Sequence, residues 1–234
     1  MKNLKRSIAG LSAVCLLSLL LSSCLKSNSS YYNPPVALVS FFQASPDEPA
    51  LDLYFNSNRV NWNPISYGSG LDYFNAFAGP RTVNFYAQNT MTKLFSDTLT
   101  LKPNAVYSLF LVNAASTPGI FVLNDTINRP ANNTANIRFV DLSPDAPAVD
   151  LALNDSVKVS NKAYKGFSSF LPVAGNKTYS FKILQKGTST VLASLSNVTL
   201  TNGYVYTIML TGLSAGTTSA DKLSVYYITN AQYF

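Results

Sequence analysis

The sequence predicts an all-β protein made of two tandem β-sandwich domains, and three observations carry that expectation. One phrase occurs twice: Ser45-Pro46-Asp47-Glu48-Pro49-Ala50-Leu51-Asp52-Leu53 returns 98 residues later as Ser143-Pro144-Asp145-Ala146-Pro147-Ala148-Val149-Asp150-Leu151. Alternating apolar runs lead into both copies, Val39-Ser40-Phe41-Phe42 and Ile137-Arg138-Phe139-Val140, and others lead out to Asn56 and Asn154. That is strand, proline-fixed turn, strand. Beyond residue 24 no segment carries a convincing helical period.

The elements follow in order. In Ala50-Leu51-Asp52-Leu53-Tyr54-Phe55-Asn56, the side chains of Leu51, Leu53 and Phe55 share one face, and those of Asp52, Tyr54 and Asn56 share the other. This reads as a half-buried strand with Asp52, and by repetition Asp150, facing outward. Residues 56–70 are turn-rich. Strands are expected over 71–78 and 82–88 around Gly79-Pro80, over 98–101 and 105–113 around Lys102-Pro103-Asn104, and over 119–124.

An Asn-, Thr- and Pro-rich stretch, 125–136, reads as a linker, after which the pattern restarts. Residues 137–154 match 39–56 at 9 of 18 positions, and Ala174-Gly175-Asn176-Lys177-Thr178 answers Ala78-Gly79-Pro80-Arg81-Thr82. Correspondence of this length marks a tandem duplication. About seven short strands per half, with turn signals every 8 to 12 residues, suit an immunoglobulin-like or related β-sandwich. The expected domains are 36–124 and 137–234, as two beads on a spacer.

The first residues read as an address rather than as fold. Lys2, Lys5 and Arg6 precede an apolar run from Ile8 to Leu21, about 14 residues where a bilayer span needs roughly 20. The run ends in Leu21-Ser22-Ser23-Cys24, which resembles a lipobox, the cleavage motif of bacterial lipoproteins. The resemblance implies a cleaved signal peptide over 1–23, lipidation of Cys24, and a flexible tether over 24–35 that partners the chain with a membrane. Leu25 stands where enteric bacteria use an aspartate to retain lipoproteins in the inner membrane. The acidic tract that promotes surface export in many Bacteroidota lipoproteins is missing, so an outer-membrane location is expected, on either face. Cys15 leaves with the signal, so stability must come from packed cores rather than a disulfide.

Charge and inventory narrow the chemistry. The chain carries a formal +6, but without the signal it holds 14 basic and 11 acidic residues, scattered, with no basic stripe interleaved with aromatics. Nucleic acid is therefore not an expected partner. With no histidine and no thiol beyond Cys24, a Ser-His-Asp triad, a Cys-His pair and a His-ligated zinc are all excluded, and no phosphate-binding glycine motif occurs. No cofactor or metal is expected.

The repeated acids invite a two-carboxylate enzyme. Asp47 and Asp145, each following a turn proline, suit backbone capping instead, so Ser45, Pro46, Asp47, Asp52, Ser143, Pro144, Asp145 and Asp150 are read as structural. Trp62, Tyr67 and Tyr73, in the turn-rich part of the first half, form the candidate binding surface, since Trp and Tyr stack on sugars and anchor protein partners.

Two further resemblances bear on identity. Phe139 to Leu151 is close to the pattern F-x-x-L/A-S-P-D-A-P-x-V-D-V, and Phe41 to Leu53 is a looser copy with Glu48 in place of alanine. On these residues each half resembles domain of unknown function 4397, a family of bacterial and archaeal envelope proteins without an established activity. Asp97-Thr98-Leu99, Asp125-Thr126-Ile127 and Asp155-Ser156-Val157 resemble the acceptor of general O-glycosylation in Bacteroidota, which implies Thr98, Thr126 and Ser156 as acceptors. The expected function is a non-enzymatic envelope lipoprotein that binds, adheres or supports, with a glycan or envelope protein as partner. The alternative is a polysaccharide-acting enzyme or an accessory glycan-binding protein of an uptake system.

Overall fold

The computed structural model describes residues 34–218 and 221–234, so the signal peptide, Cys24 and most of the tether lie outside the described residues. Among the described residues the backbone forms strands and turns and no helix.

The first module contains β1 (Val36–Gln43), β2 (Leu51–Phe55), β3 (Asn58–Arg59), β4 (Gly70–Phe77), β5 (Gly79–Ala87), β6 (Lys93–Leu101), β7 (Val106–Val112) and β8 (Gly119–Asn124). The second contains β9 (Thr134–Asp141), β10 (Val149–Leu153), β11 (Ser156–Lys162), β12 (Leu171–Ala174), β13 (Lys177–Gln185), β14 (Val191–Leu200), β15 (Tyr204–Thr211) and β16 (Ser224–Gln232). Each module therefore has eight strands rather than about seven, the addition in module 1 being the two-residue β3.

The sheets repeat strand for strand. Module 1 pairs β4-β1-β7-β8 and β3-β2-β5-β6, and module 2 pairs β12-β9-β15-β16 and β11-β10-β13-β14. In both, the opening strand runs parallel to the seventh, β1 to β7 and β9 to β15, and the other pairings are antiparallel. Between the two sheets of module 1 lie Val39, Phe41, Leu51, Leu53, Val83 and Phe85. Their counterparts in module 2 are Ile137, Phe139, Val149, Leu151, Phe181 and Ile183. Burial of this kind stabilises each sandwich by roughly 1.5 to 3 kcal/mol per large side chain.

Asparagine supplies the turn geometry. Asn56, Asn104, Asn154 and Asn176 have φ of 54°, 59°, 46° and 53°, the left-handed region that asparagine tolerates better than most residues. In the β10–β11 hairpin both Asn154 and Asp155 are left-handed, the two-residue turn whose twist matches paired strands.

The modules do not sit as separate beads. Phe42, Ala44, Phe110, Val112 and Leu123 of module 1 form one buried cluster with Val140, Leu142 and Met209 of module 2. Outward faces of β1, β7, β9 and β15 are thus covered by the neighbouring module, which is why they carry the large apolar side chains Phe42, Phe110, Val140 and Met209. The stretch expected as a spacer takes part, with Asp125 and Pro130 buried. Gly68 touches the same seam. Its φ is +77°, and an added Cβ would lie 2.6 Å from the Tyr226 ring of module 2, too close for any larger residue.

Candidate functional site

The acids of the repeated phrase resolve into two clasps per module. Asp47 accepts the Ala115 N–H at 2.8 Å, and Asp145 accepts those of Ser214 and Ala215 at 2.7 and 3.1 Å, so each ties its turn to the loop after β7 or β15. Asp52 accepts the Asn89 N–H at 2.9 Å, and Asp150 that of Gly187 at 3.0 Å. Both hold the turn of the following hairpin. Asp52 and Asp150 are buried, 2 % and 7 % exposed, not outward as strand alternation suggested, because that turn folds over them. Asp52 also takes Arg59 at 2.6 Å and Asn61 at 3.1 Å, and Asp150 takes the Asn161 N–H at 2.7 Å. Ser45 and Ser143 are buried beside half-buried Pro46 and Pro144, and their N–H groups reach Gln43 and Asp141 at 2.6 and 3.0 Å. Accepting backbone N–H groups in this way, the four carboxylates act as capping groups.

The three aromatics do not form one surface. Trp62 is 97 % exposed on the loop after β3. Tyr67 and Tyr73 turn into the seam instead. The Tyr67 hydroxyl lies 2.8 Å from that of Thr211, and its ring stands edge-on to Tyr226 at 5.8 Å. Tyr73 donates to Asp125 at 2.5 Å and accepts from Asn230 at 3.0 Å. A half-buried phenol needs a partner for its hydroxyl, and Thr211 and Asn230 of the neighbouring module each supply one.

The seam holds the densest polar constellation of the described residues. Arg138, 3 % exposed, reaches across from β9 to pair with the buried carboxylate of Asp125. Its other nitrogens donate to Ser108 at 2.9 Å and Thr207 at 2.8 Å, and its guanidinium lies 4.8 Å from the Phe170 ring centre. Asp125 also accepts Ser108 at 2.6 Å, and Thr207 donates to Asn230 at 2.6 Å. Burial first, then the negative charge of Asp125, pushes the Tyr73 hydroxyl up to about 12, so it stays protonated and donates. Arg138 had a sequence signal, a lone charge inside Ile137-Arg138-Phe139-Val140. Ser108, Thr207 and Asn230 had none, since polar residues alternating with apolar ones read as a solvent face.

Over this network opens a cleft between β4 of module 1 and β16 of module 2. An inner recess of about 100 Å³ is bounded by Ser40, Gly70, Tyr73 and Asn230. An outer one of about 600 Å³ shares Asp72, Tyr73, Thr229 and Asn230 and reaches Gln232. Gly70 is required at the inner end, where a Cβ would fall 2.1 Å from the Phe41 carbonyl oxygen. Carboxylate, phenol, hydroxyl and two amides thus converge on one polar cleft at a module boundary, a common setting for ligand sites. Among the described residues no three His, Cys, Asp or Glu side chains gather as a metal site.

The implied glycosylation acceptors lie apart. Thr98, within β6, and Thr126 and Ser156 are exposed.

Three solved structures show a distant likeness. A family 26 carbohydrate-binding module of Eubacterium rectale Amy13K, in complex with maltoheptaose, is 10 % identical, with a TM-score of 0.26, over 84 % of this chain and 97 % of its own. A streptococcal virulence factor described for alpha-glucan binding is 11 % identical, with a TM-score of 0.24, over 81 % of this chain and 96 % of its own. Family 41 carbohydrate-binding modules from streptococcal virulence factors are 10 % identical, with a TM-score of 0.23, over 81 % and 96 %. No curated protein gives a match. The family model described as Domain of unknown function (DUF4397) matches residues 37–152 and again 143–232, and the chain belongs to that family.

Proposed function

We propose that the chain is a non-enzymatic envelope lipoprotein that holds a neutral glycan segment in the cleft at the module seam. The observation that carries this reading is the convergence of Asp72, Tyr73, Thr229, Asn230 and Gln232 on one recess built jointly by both modules. Amides and a carboxylate match the vicinal hydroxyls of a sugar, and the single carboxylate repels anionic ligands. Hydrolysis is supported less well. A glycosidase needs two carboxyl groups within roughly 5 to 10 Å, and the other acid of the seam, Asp125, is committed to Arg138.

Asp72 and Gln232 are exposed at the outer recess and belong to no hydrogen bond of the buried network. Asp72→Ala/Gln232→Ala is expected to weaken retention of a bound neutral oligosaccharide by about tenfold, the effect of losing two hydrogen bonds, with unchanged circular dichroism. A glycan panel measured by calorimetry checks it, and undiminished binding by the variant would remove the seam as the site.

The location rests on the sequence. Cys24 as the acylated residue would carry enough hydrophobic chain for stable anchoring, with the outer membrane as the favoured destination. Cys24→Ser is expected to move the protein from the membrane fraction to the soluble fraction and to abolish palmitate labelling. Continued labelling would refute the anchor.

A further inference from the structure

The duplication has produced the same groove twice, and the two copies have diverged in chemistry. In module 1 it lies among Phe55, Asn58, Val60, Phe74, Phe77 and Arg81 and holds about 120 Å³. Its counterpart in module 2 lies among Asn154, Ser156, Lys158, Pro172, Lys177 and Tyr179 and holds about 460 Å³. Leu171 stands opposite Ile137 as Phe74 stands opposite Val39, and Ala174 opposite Thr134 as Phe77 opposite Val36, so two rings that line the first groove are absent from the second.

Charge changes with shape. Lys158 stands where module 1 has Val60, and although the sequence aligns Lys177 with Arg81, the strand pairing sets it opposite Leu200 as Gly79 is set opposite Leu101. The cation of module 1, Arg81, is spent on the carbonyls of Phe77 and Ala78 at 2.7 and 2.6 Å. Lys158 and Lys177 are exposed, and among the described residues neither has a carboxylate within ion-pair distance. The adjacent acid, Asp155, is held by Lys182 at 2.5 Å. Lys177 Nζ rests 5.6 Å from the Tyr179 ring centre, which holds it at the groove wall. The wider charge distribution agrees: residues 137–234 carry eight basic and five acidic side chains, whereas 36–136 carry five and six.

We propose that the module 2 groove is an anion site that takes the carboxylate or sulfate of an acidic sugar residue, the two lysines pairing with the anion and Ser156 and Asn154 meeting ring hydroxyls. This rests on the reading of the chain as a glycan binder, and gives it a second subsite of opposite preference to the seam. A recess of this volume suits one or two sugar rings, whereas a bilayer surface or a duplex would call for a flat or extended basic face.

The test is calorimetry on the full chain in detergent with trigalacturonate, a sulfated heparin hexasaccharide and maltotriose. The acidic probes are expected to bind, and Lys158→Ala/Lys177→Ala to weaken them by about tenfold or more, with a loss also on raising salt from about 50 to about 500 mM. Which acidic probe binds more tightly separates carboxylate from sulfate. Lys158→Arg/Lys177→Arg is expected to keep the binding, and Asp72→Ala/Gln232→Ala to leave it unchanged. Equal binding by the alanine variant, or acidic probes bound no more tightly than maltotriose, overturns this site alone. No saccharide bound at either place overturns this site and the glycan reading together.

Discussion

Asp125→Ala is expected to cost roughly 3 to 5 kcal/mol, the loss seen when one member of a buried ion pair is removed. Arg138 is 3 % exposed and its guanidinium would keep only Ser108, Thr207 and the Phe170 ring as neutral neighbours. Ser108 and Tyr73 would lose their shared acceptor at the same time. For a chain of this size the change corresponds to a fall in Tm of about 10 °C. Because the pair ties β9 of module 2 to the residue after β8 of module 1, the loss falls on the seam. Calorimetry of the wild type should show one transition, and that of Asp125→Ala two, as the modules unfold independently. Asp125→Leu/Arg138→Met should recover most of the stability, since it removes both desolvated charges. A change below about 1 kcal/mol in Asp125→Ala, with one transition retained, would show that the seam is not what couples the modules.

How much of this was legible in the sequence depends on range. The Ser-Pro-Asp phrase, the period-2 runs and the asparagine turns act over a few residues, so the two sandwiches and their repeat could be read directly. The seam could not, because strand alternation separates two faces without saying what covers the second. Phe42, Phe110, Val140 and Met209 were its trace, large apolar side chains on faces that a half-exposed sheet would make polar. Asp52 and Asp150 looked outward for the same reason: alternation describes the strand and not the hairpin turn that closes over it. Tyr67 and Tyr73 lay in a turn-rich segment and looked like a contact surface, yet their hydroxyls were matched by Thr211 and Asn230 on strands about 140 to 160 residues away. Trp62 had no such partner in reach and stays exposed. The seam cleft and the cationic groove both depend on residues brought together from separate strands, so neither has a contiguous motif.

Asp141→Asn is expected to flatten the fall in stability that the wild type shows as pH rises from about 4 to about 8. Asp141 is fully buried at the end of β9. One carboxyl oxygen accepts the Ser143 N–H at 3.0 Å, and the other has no hydrogen-bond partner. Burial raises its pKa from 3.8 to about 7, only partly offset by the Ser143 bond, and Tyr164, whose own hydroxyl is pushed up by burial and by the Asp141 charge, stands near it. With the folded value above the unfolded one, the proton is held more tightly in the native state. Below about pH 4 both states are neutral and nothing is lost. Between the two values the unfolded chain ionises first and stability declines, and above about 7 both are ionised and the loss levels off. The full difference is on the order of 4 kcal/mol. Glu48 is shifted the same way, by burial and by Asp47, so some slope remains in the variant. Asparagine keeps the acceptor for Ser143 and replaces the ionisable oxygen with an amide. Module 1 already accommodates that arrangement, where Gln43 caps Ser45 through its oxygen and leaves its buried nitrogen unpartnered. Urea titrations of both proteins at pH 4.5, 6 and 8 decide it. Parallel pH profiles would show that Asp141 is ionised in the folded protein throughout that range, and that its burial does not hold the proton.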